Sequence, residues 1–409
     1  MRLRLLEMVT ILMLAIEMLL TRPLWGTSHA YPRIPFFSGL INMPAWLEWA
    51  GLACVMLAAV LVARSWFIKK ESLKNSRTAW IILGFGLIWL VLFDQHRFQT
   101  WIWQAILYSF CLGVMQREQS LKWMRLITIG IYFYSAISKL DASFPNSYGQ
   151  TILDGLLQAI HFQPSWSQQA RWWIVLCFPL FELLLAIFLL IPRTRFIGLL
   201  FSYLMHIALF LALGPWGLNH QTPVLMWNIF FIVQNSILFW PARMNKNPQA
   251  LEQPPAPSNE TRRWPAYVMT LLLLFPATEW FDVCDIWPGW GLYSAHGARV
   301  TFSVDETEVE KIPEQLKHLL AAPVFEHSWR KLDCHRFSFE ETNSPSYPED
   351  RTQLAVAMTL IKRFDLQKIK VVHHNTAHRL TGKRKLTELN TRQDLDKFSQ
   401  RFFFNTKQR

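Results

Sequence analysis

Cysteine is scarce in this sequence: five residues in 409, and no two of them in a CxxC spacing. That absence excludes a zinc-ribbon or thioredoxin-type site, and Cys54, Cys111 and Cys177 lie inside apolar runs. Charge is scarce too, at 17% of residues against 52% hydrophobic. The net charge of +12 is scattered through short loops, with no basic patch of the kind that binds phosphate backbones, so no nucleic-acid partner is expected. The first apolar run, Leu5 to Leu20, follows Arg2 and Arg4 as a signal peptide would, but it lacks a prompt small-residue cleavage site and is interrupted by Glu7 and Glu17. It reads as a first membrane span.

What is abundant is aromatic and aliphatic residue, with 20 Trp and 30 Phe, a composition that points to a polytopic membrane protein. Further apolar segments run from Trp46 to Ile68, Ala79 to Phe93, Trp101 to Met115, Met124 to Ser138, Trp172 to Ile191, Phe196 to Leu213, Val224 to Trp240 and Trp264 to Trp280. With the first they make about nine expected spans, several near the short end of the roughly 17 to 25 residues a crossing needs. The loops alternate in basic content. Arg64, Lys69, Lys70, Lys74 and Arg77 follow the second span, Arg117, Lys122 and Arg125 surround the next basic loop, and Arg193, Arg195, Arg243, Lys246, Arg262 and Arg263 mark two more. Residues 140–170 and 215–223 hold no Lys or Arg. The positive-inside rule then places the N-terminus in the cytoplasm and Lys139, Asp141, His220 and the C-terminal part outside.

The expected architecture is an α-helical bundle over residues 1–281 followed by an extracytoplasmic α+β domain over 282–409. A Pro-rich linker, Asn247 to Ser258, joins two spans on the inner face. Trp287, Trp290 and Tyr293 read as an aromatic belt at the membrane exit. RVTFSV and KIKVVHH alternate as strands do, whereas EKIPEQLKHLLAA and EDRTQLAVAMTLIKRF have helical periodicity. Cys284 and Cys334 would share an oxidising compartment and could pair.

Ionisable groups in or beside apolar segments are the candidates for chemistry, because such groups are costly in hydrocarbon. Lys139, at the end of an apolar helix, is either a snorkelling anchor or an amine that desolvation could make basic. Glu182, three residues after Pro179, is either an interhelical hydrogen-bonding group or a functional acid. His206 is mid-span, a packing residue or a site. Asp94, His96 and Arg97 form a polar knot at the outer end of the third span, either a cap or part of a site. His373, His374 and His378 have a spacing compatible with metal but no adjacent acidic partner, and no metal is expected. Lys383, Arg384, Lys385 and Arg379 form a small basic patch, solvated or in contact with lipid headgroups.

The stretch YFYSAISKLDASFPNSYG resembles the core motif of the horizontally transferred transmembrane domain, the family that includes the vitamin K-dependent gamma-carboxylase. The similarity extends over residues 79–241, taking in Phe181, Glu182 and His206. It implies quinol-linked chemistry of the epoxidation and carboxylation type at the outer membrane surface, with Lys139 as base, Asp141 and His206 as its neighbours and Glu182 as a bundle-interior acid. It further implies vitamin K hydroquinone or menaquinol as cofactor, near Asp94, His96 and Tyr134, and a peptide or protein substrate on the outer side. Ser138 stands where the carboxylase has the first of two lysines. A second resemblance is to DoxX-type redox-associated membrane proteins, which implies a quinone-linked accessory component. In the remaining reading the bundle is a scaffold for a binding ectodomain.

Overall fold

The apolar runs become helices because they carry few of the residues that break one, and their ends fall at Pro, Gly and polar turns. The computed structural model describes residues 1–67, 73–220, 222–241, 263–323 and 328–409. The Pro-rich linker and Lys69, Lys70, Arg243, Lys246 and Arg262 lie outside the described residues. In chain order the helices are α1 (Arg2–Leu20), the single turn α2 (Arg22–Trp25), α3 (Trp46–Phe67), α4 (Leu73–Phe93), α5 (Thr100–Val114), α6 (Arg117–Lys139), α7 (Tyr148–Ala159), α8 (Gln168–Leu190), α9 (Arg195–Leu213), α10 (Thr222–Phe239) and α11 (Trp264–Leu274).

Each apolar segment is thus helical, but five helices among the described residues are long and apolar enough to cross a membrane. These are Trp46–Trp66 of α3, Ser76–Phe93 of α4, α8, α9 and α10. The expected nine crossings are corrected to five on length and composition. α5 has 15 residues and α11 has 11, short of a bilayer's thickness at about 1.5 Å per residue. α1 carries Arg2, Arg4, Glu7 and Glu17, and α6 opens on Arg117, Glu118, Lys122 and Arg125. The chain is a multi-pass helical membrane protein whose environment is a lipid bilayer. Its bundle core gathers Leu6, Trp80, Leu83, Leu87, Ile102, Tyr108 and Leu185.

After α11 the chain forms β1 (Arg299–Asp305), the single turn α12 (Glu314–Lys317), β2 (Trp329–Lys331), α13 (Cys334–Thr342), α14 (Asp350–Arg363), β3 (Ile369–His374), β4 (Leu386–Leu389) and α15 (Arg392–Ser399). The sheet is antiparallel with order β2-β1-β3-β4, and Thr301 stands opposite Val372. β3 alternates as its sequence suggests, burying Ile369, Val371 and His373. α14 lies on β1 and β3, closing a second core of Phe302, Val304, Leu354, Leu360 and Val371. EKIPEQLKHLLAA does not form one helix: it holds the end of a 3-10 segment at Lys311 and the single turn of α12, after which Leu320 bridges Leu332. Trp287 and Trp290 do not form a belt: both are buried, Trp287 edge-on to Tyr347 at 5.3 Å. Cys284 and Cys334 are free thiols, so the considered disulfide does not form.

Candidate functional site

Two helices carry polar residues along their buried stripes. On α6, Tyr132, Ser135 and Lys139 follow an i, i+3, i+7 spacing that points them to one side, and on α9 Ser202 and His206 do the same. Between these stripes and α8 and α10 lies a cavity of about 300 Å³, roofed by Ile152 and Leu156 of α7. Its walls are almost wholly apolar. Its polar groups fall into two stations.

At the first, Lys139 Nζ donates to Glu182 Oε2 at 2.7 Å and to Ser135 Oγ at 2.5 Å. Pairing makes both charges tolerable away from water, since each ion replaces the other's lost hydration. At the second, Tyr132 Oη lies 2.7 Å from His206 Nε2, and His206 Nδ1 lies 2.9 Å from Asn228 Oδ1. The Asn228 amide nitrogen is committed to the Val224 carbonyl, so Oδ1 is the acceptor and His206 Nδ1 carries the proton. Nε2 then accepts from Tyr132, whose oxygen accepts in turn from Asn235 Nδ2 at 2.6 Å. His206 stacks on Phe231, with ring centroids 4.8 Å apart and planes 12° from parallel. Seven residues separate Tyr132 from Lys139 on α6, so the stations differ in depth by about 10 Å. The arrangement offers an occupant a charged donor at one level and a neutral, preorganised donor–acceptor chain at another. Leu204 lines the cavity and is itself 60% exposed, so the wall reaches the lipid-facing surface of α9.

Much of the stretch that lines this cavity resembles a known family. Residues 117–224 match the family model of the methylamine utilisation protein MauE. The matched stretch is just over a quarter of the 409 residues, and it contains Tyr132, Lys139, Glu182 and His206. The expected membership of the horizontally transferred transmembrane family is corrected by this match, and with it the expectation of gamma-carboxylase chemistry: the family found over the motif is MauE. No curated protein and no solved structure matches the chain.

Asp141 also lies in the MauE-matching stretch, but it faces away from the cavity. Its Oδ1 accepts from the Ser143 and Phe144 amides at 2.7 and 2.8 Å, which turns the chain after α6. Its Oδ2 accepts from His296 Nδ1 at 2.9 Å, and the other ring nitrogen of His296 meets Glu279. Arg379 closes the group through Glu279 Oε2 at 3.1 Å. Burial opposes the charged form of His296, but the hydrogen bonds to Asp141 and Glu279 win and raise its pKa above the ordinary imidazole value. Burial also opposes charge on Asp141 and Glu279, yet their bonds to His296 lower both. Sequence reading missed His296 and Glu279. The available signal was a carboxylate and a histidine inside the Trp-rich stretch after α11.

The structure brings Lys139, Glu182 and His206 together around one cavity and sets the other candidates apart. Asp94 and His96 occupy a separate buried knot: Asp94 Oδ1 accepts from the His96 amide at 3.2 Å, and His96 Nε2 lies 2.9 Å from the Pro345 carbonyl. Burial lowers the His96 pKa to about 4. Arg97 beside them pairs with Glu48 at 2.7 Å, so the knot links α3, the end of α4 and the loop before α14. Tyr134 points away, its ring edge-on to Phe133, and its neighbour Tyr132 faces the cavity instead. His373 meets Asp350 at 2.7 Å, and no group of three or more metal-ligating side chains forms among the described residues.

Proposed function

We infer that this chain is a redox-associated accessory component of the membrane, whose bundle cavity binds a lipophilic quinone or quinol such as menaquinol. The observation that carries this reading is the apolar cavity of about 300 Å³ with the Lys139–Glu182 pair at one station and the Tyr132–His206–Asn228 chain at the other. Ligand sites have this composition, mostly apolar walls with a few convergent polar groups. An isoprenoid quinone suits both features, with a tail that partitions into lipid and two ring oxygens that take hydrogen bonds. Lys139 is the donor to one oxygen, the His206 chain serves the other, and Asp141 fixes the α6 terminus from which Lys139 projects. The MauE match, which covers Tyr132, Lys139, Glu182 and His206, supports a membrane role in amine utilisation. In this reading residues 282–409 form an extracytoplasmic domain, and the N-terminus is cytoplasmic.

The test is equilibrium binding of menaquinone and menaquinol to the protein in nanodiscs, for wild type, Lys139→Met and His206→Leu, each checked for folding by thermal unfolding. Saturable binding weakened tenfold or more by both substitutions supports the reading; about tenfold corresponds to the loss of one strong hydrogen bond, roughly 1.4 kcal/mol. Folded variants that bind as wild type does, or a wild type that binds neither form, would leave the bundle as a scaffold.

A further inference from the structure

The connection between β3 and β4, residues 375–385, ends beside the bundle. Its backbone is tied there: the Ala142 amide, three residues past the end of α6, donates to the Arg379 carbonyl at 2.7 Å. Arg379 itself bonds Glu279 and stacks over Trp280 at 4.0 Å, in the tight helical turns that follow α11. The loop is a closed turn, with the Gly382 amide on the His378 carbonyl at 2.7 Å, the His378 amide on the Lys383 carbonyl at 2.9 Å, and Gly382 at φ +66. A side chain at Gly382 would be strained, so the turn's shape depends on glycine.

This rigid turn presents an unusual surface. Leu380, at its tip, is 85% exposed, and in the segment after α11 that Thr376 and Arg379 touch, Phe281 is 75% and Val283 66% exposed. Of the basic residues nearby, Arg384 is spent inside, on the Gly297 and Asn375 carbonyls at 2.8 and 2.7 Å. Lys383 and Lys385 remain exposed and form no ion pair among the described residues. An exposed apolar tip followed by two exposed lysines, on a turn tied to the chain just past α6 and to the helical turns after α11, matches the boundary of a bilayer, where apolar groups enter the acyl region and lysines meet phosphates.

We propose that the β3–β4 turn is a lipid-contacting anchor that inserts Leu380 into the bilayer surface and binds anionic headgroups through Lys383 and Lys385. The occupant is an anionic phospholipid: a zwitterionic headgroup carries no net charge to draw the two lysines, and their attraction fades within about 10 Å at 0.1 M salt. The anchor would hold residues 296–298, which precede β1, at a fixed height over the Lys139 end of the bundle.

The experiment places a nitroxide at Leu380→Cys, with the exposed Cys54 and Cys177 changed to serine, in full-length protein in nanodiscs of phosphatidylcholine alone or mixed with phosphatidylglycerol. Collision rates with oxygen, which concentrates in lipid, and with a water-soluble nickel chelate report the depth of the label. Oxygen access is expected to exceed nickel access in the mixed discs, and Lys383→Glu/Lys385→Glu is expected to raise nickel access several-fold there and to have little effect in phosphatidylcholine. A label that is nickel-accessible in both lipids, as it would be on a water-facing or protein-binding loop, overturns the anchor. A buried label indifferent to phosphatidylglycerol and to charge reversal overturns the anionic specificity. Leu380 is exposed and the turn is held by backbone bonds, so unfolding does not confound either reading.

Discussion

Asp141 gives its two oxygens separate tasks, Oδ1 holding the turn after α6 and Oδ2 facing His296. Asparagine preserves the first and removes the charge from the second, so Asp141→Asn isolates the ion pair from the turn. The sign of its pH dependence follows from the shifts. His296 is raised, so its contribution is fully present below the ordinary imidazole value of 6.5 and is lost as pH climbs through the raised one. Asp141 and Glu279 are lowered, so theirs is present above the ordinary carboxylate values, up to 4.5, and is lost as pH falls through the depressed ones. All three are charged and stabilising from about 4.5 to 6.5. Thermal unfolding in detergent should therefore show wild type most stable near pH 5.5 and less stable at 8.5. Asp141→Asn should lose on the order of 3 kcal/mol at pH 5.5, as expected when one partner of a buried pair is removed, and should vary less between the two pH values. Equal slopes for both proteins would assign the pH dependence elsewhere.

At the scale of elements, the cavity depends on α7, a helix the span list did not include. α7 is held against α9 by close backbone approach: a Cβ on Gly155 would stand 2.5 Å from the Ala212 carbonyl oxygen and 2.6 Å from Leu218. Because the first obstacle is backbone, it has little room to yield, and overpacking of this kind costs about 1–3 kcal/mol. Gly155→Val should lower the unfolding temperature and, by lifting Ile152 and Leu156 from the cavity roof, weaken quinone binding more than it weakens folding. Binding unchanged in a folded Gly155→Val protein would show that the roof does not matter. α7 also shows what was legible in the sequence and what was not. The apolar helices were readable from composition, and β1, β3 and α14 from period. A 12-residue amphipathic helix lying over the end of another was not, because its partner, α9, lies more than 30 residues on. The same holds for the site. Lys139, Glu182 and His206 stood out as charges in apolar runs, whereas Tyr132, Asn228 and Asn235 looked like ordinary packing residues until the helices met. Asp94, His96 and Arg97 stood out equally and lie in a separate buried knot, since hydropathy marks a buried polar group without giving its partner.

For the whole molecule, the decisive contact is the one that ties the helix-and-sheet part to the bundle, and it centres on Arg351 of α14. Its Nε donates to Gln95 Oε1 at 2.8 Å, and its two terminal nitrogens form a fork on Asp285, which also accepts from Tyr347 Oη at 2.6 Å. The guanidinium lies 5.0 Å from the Phe404 ring centroid and 5.9 Å from that of Phe36. One residue thus engages the end of α4, the segment after α11 and the C-terminal tail, and its planar fork is what lets it do so. Arg351→Ala leaves the largely buried Asp285 without its cation, at a cost of about 3 kcal/mol, while Arg351→Lys keeps a charge but loses the fork. Hydrogen exchange should quicken in α14 and at residues 95–97 in Arg351→Ala, with a smaller change in the lysine variant. Arg351 does not line the bundle cavity, so quinone binding should stay within about twofold of wild type. If binding falls in step with the loosened contact, the bundle site requires the C-terminal part to be seated on it, and Leu292 and Tyr293, which line the cavity from the segment before β1, are the residues that would transmit the effect.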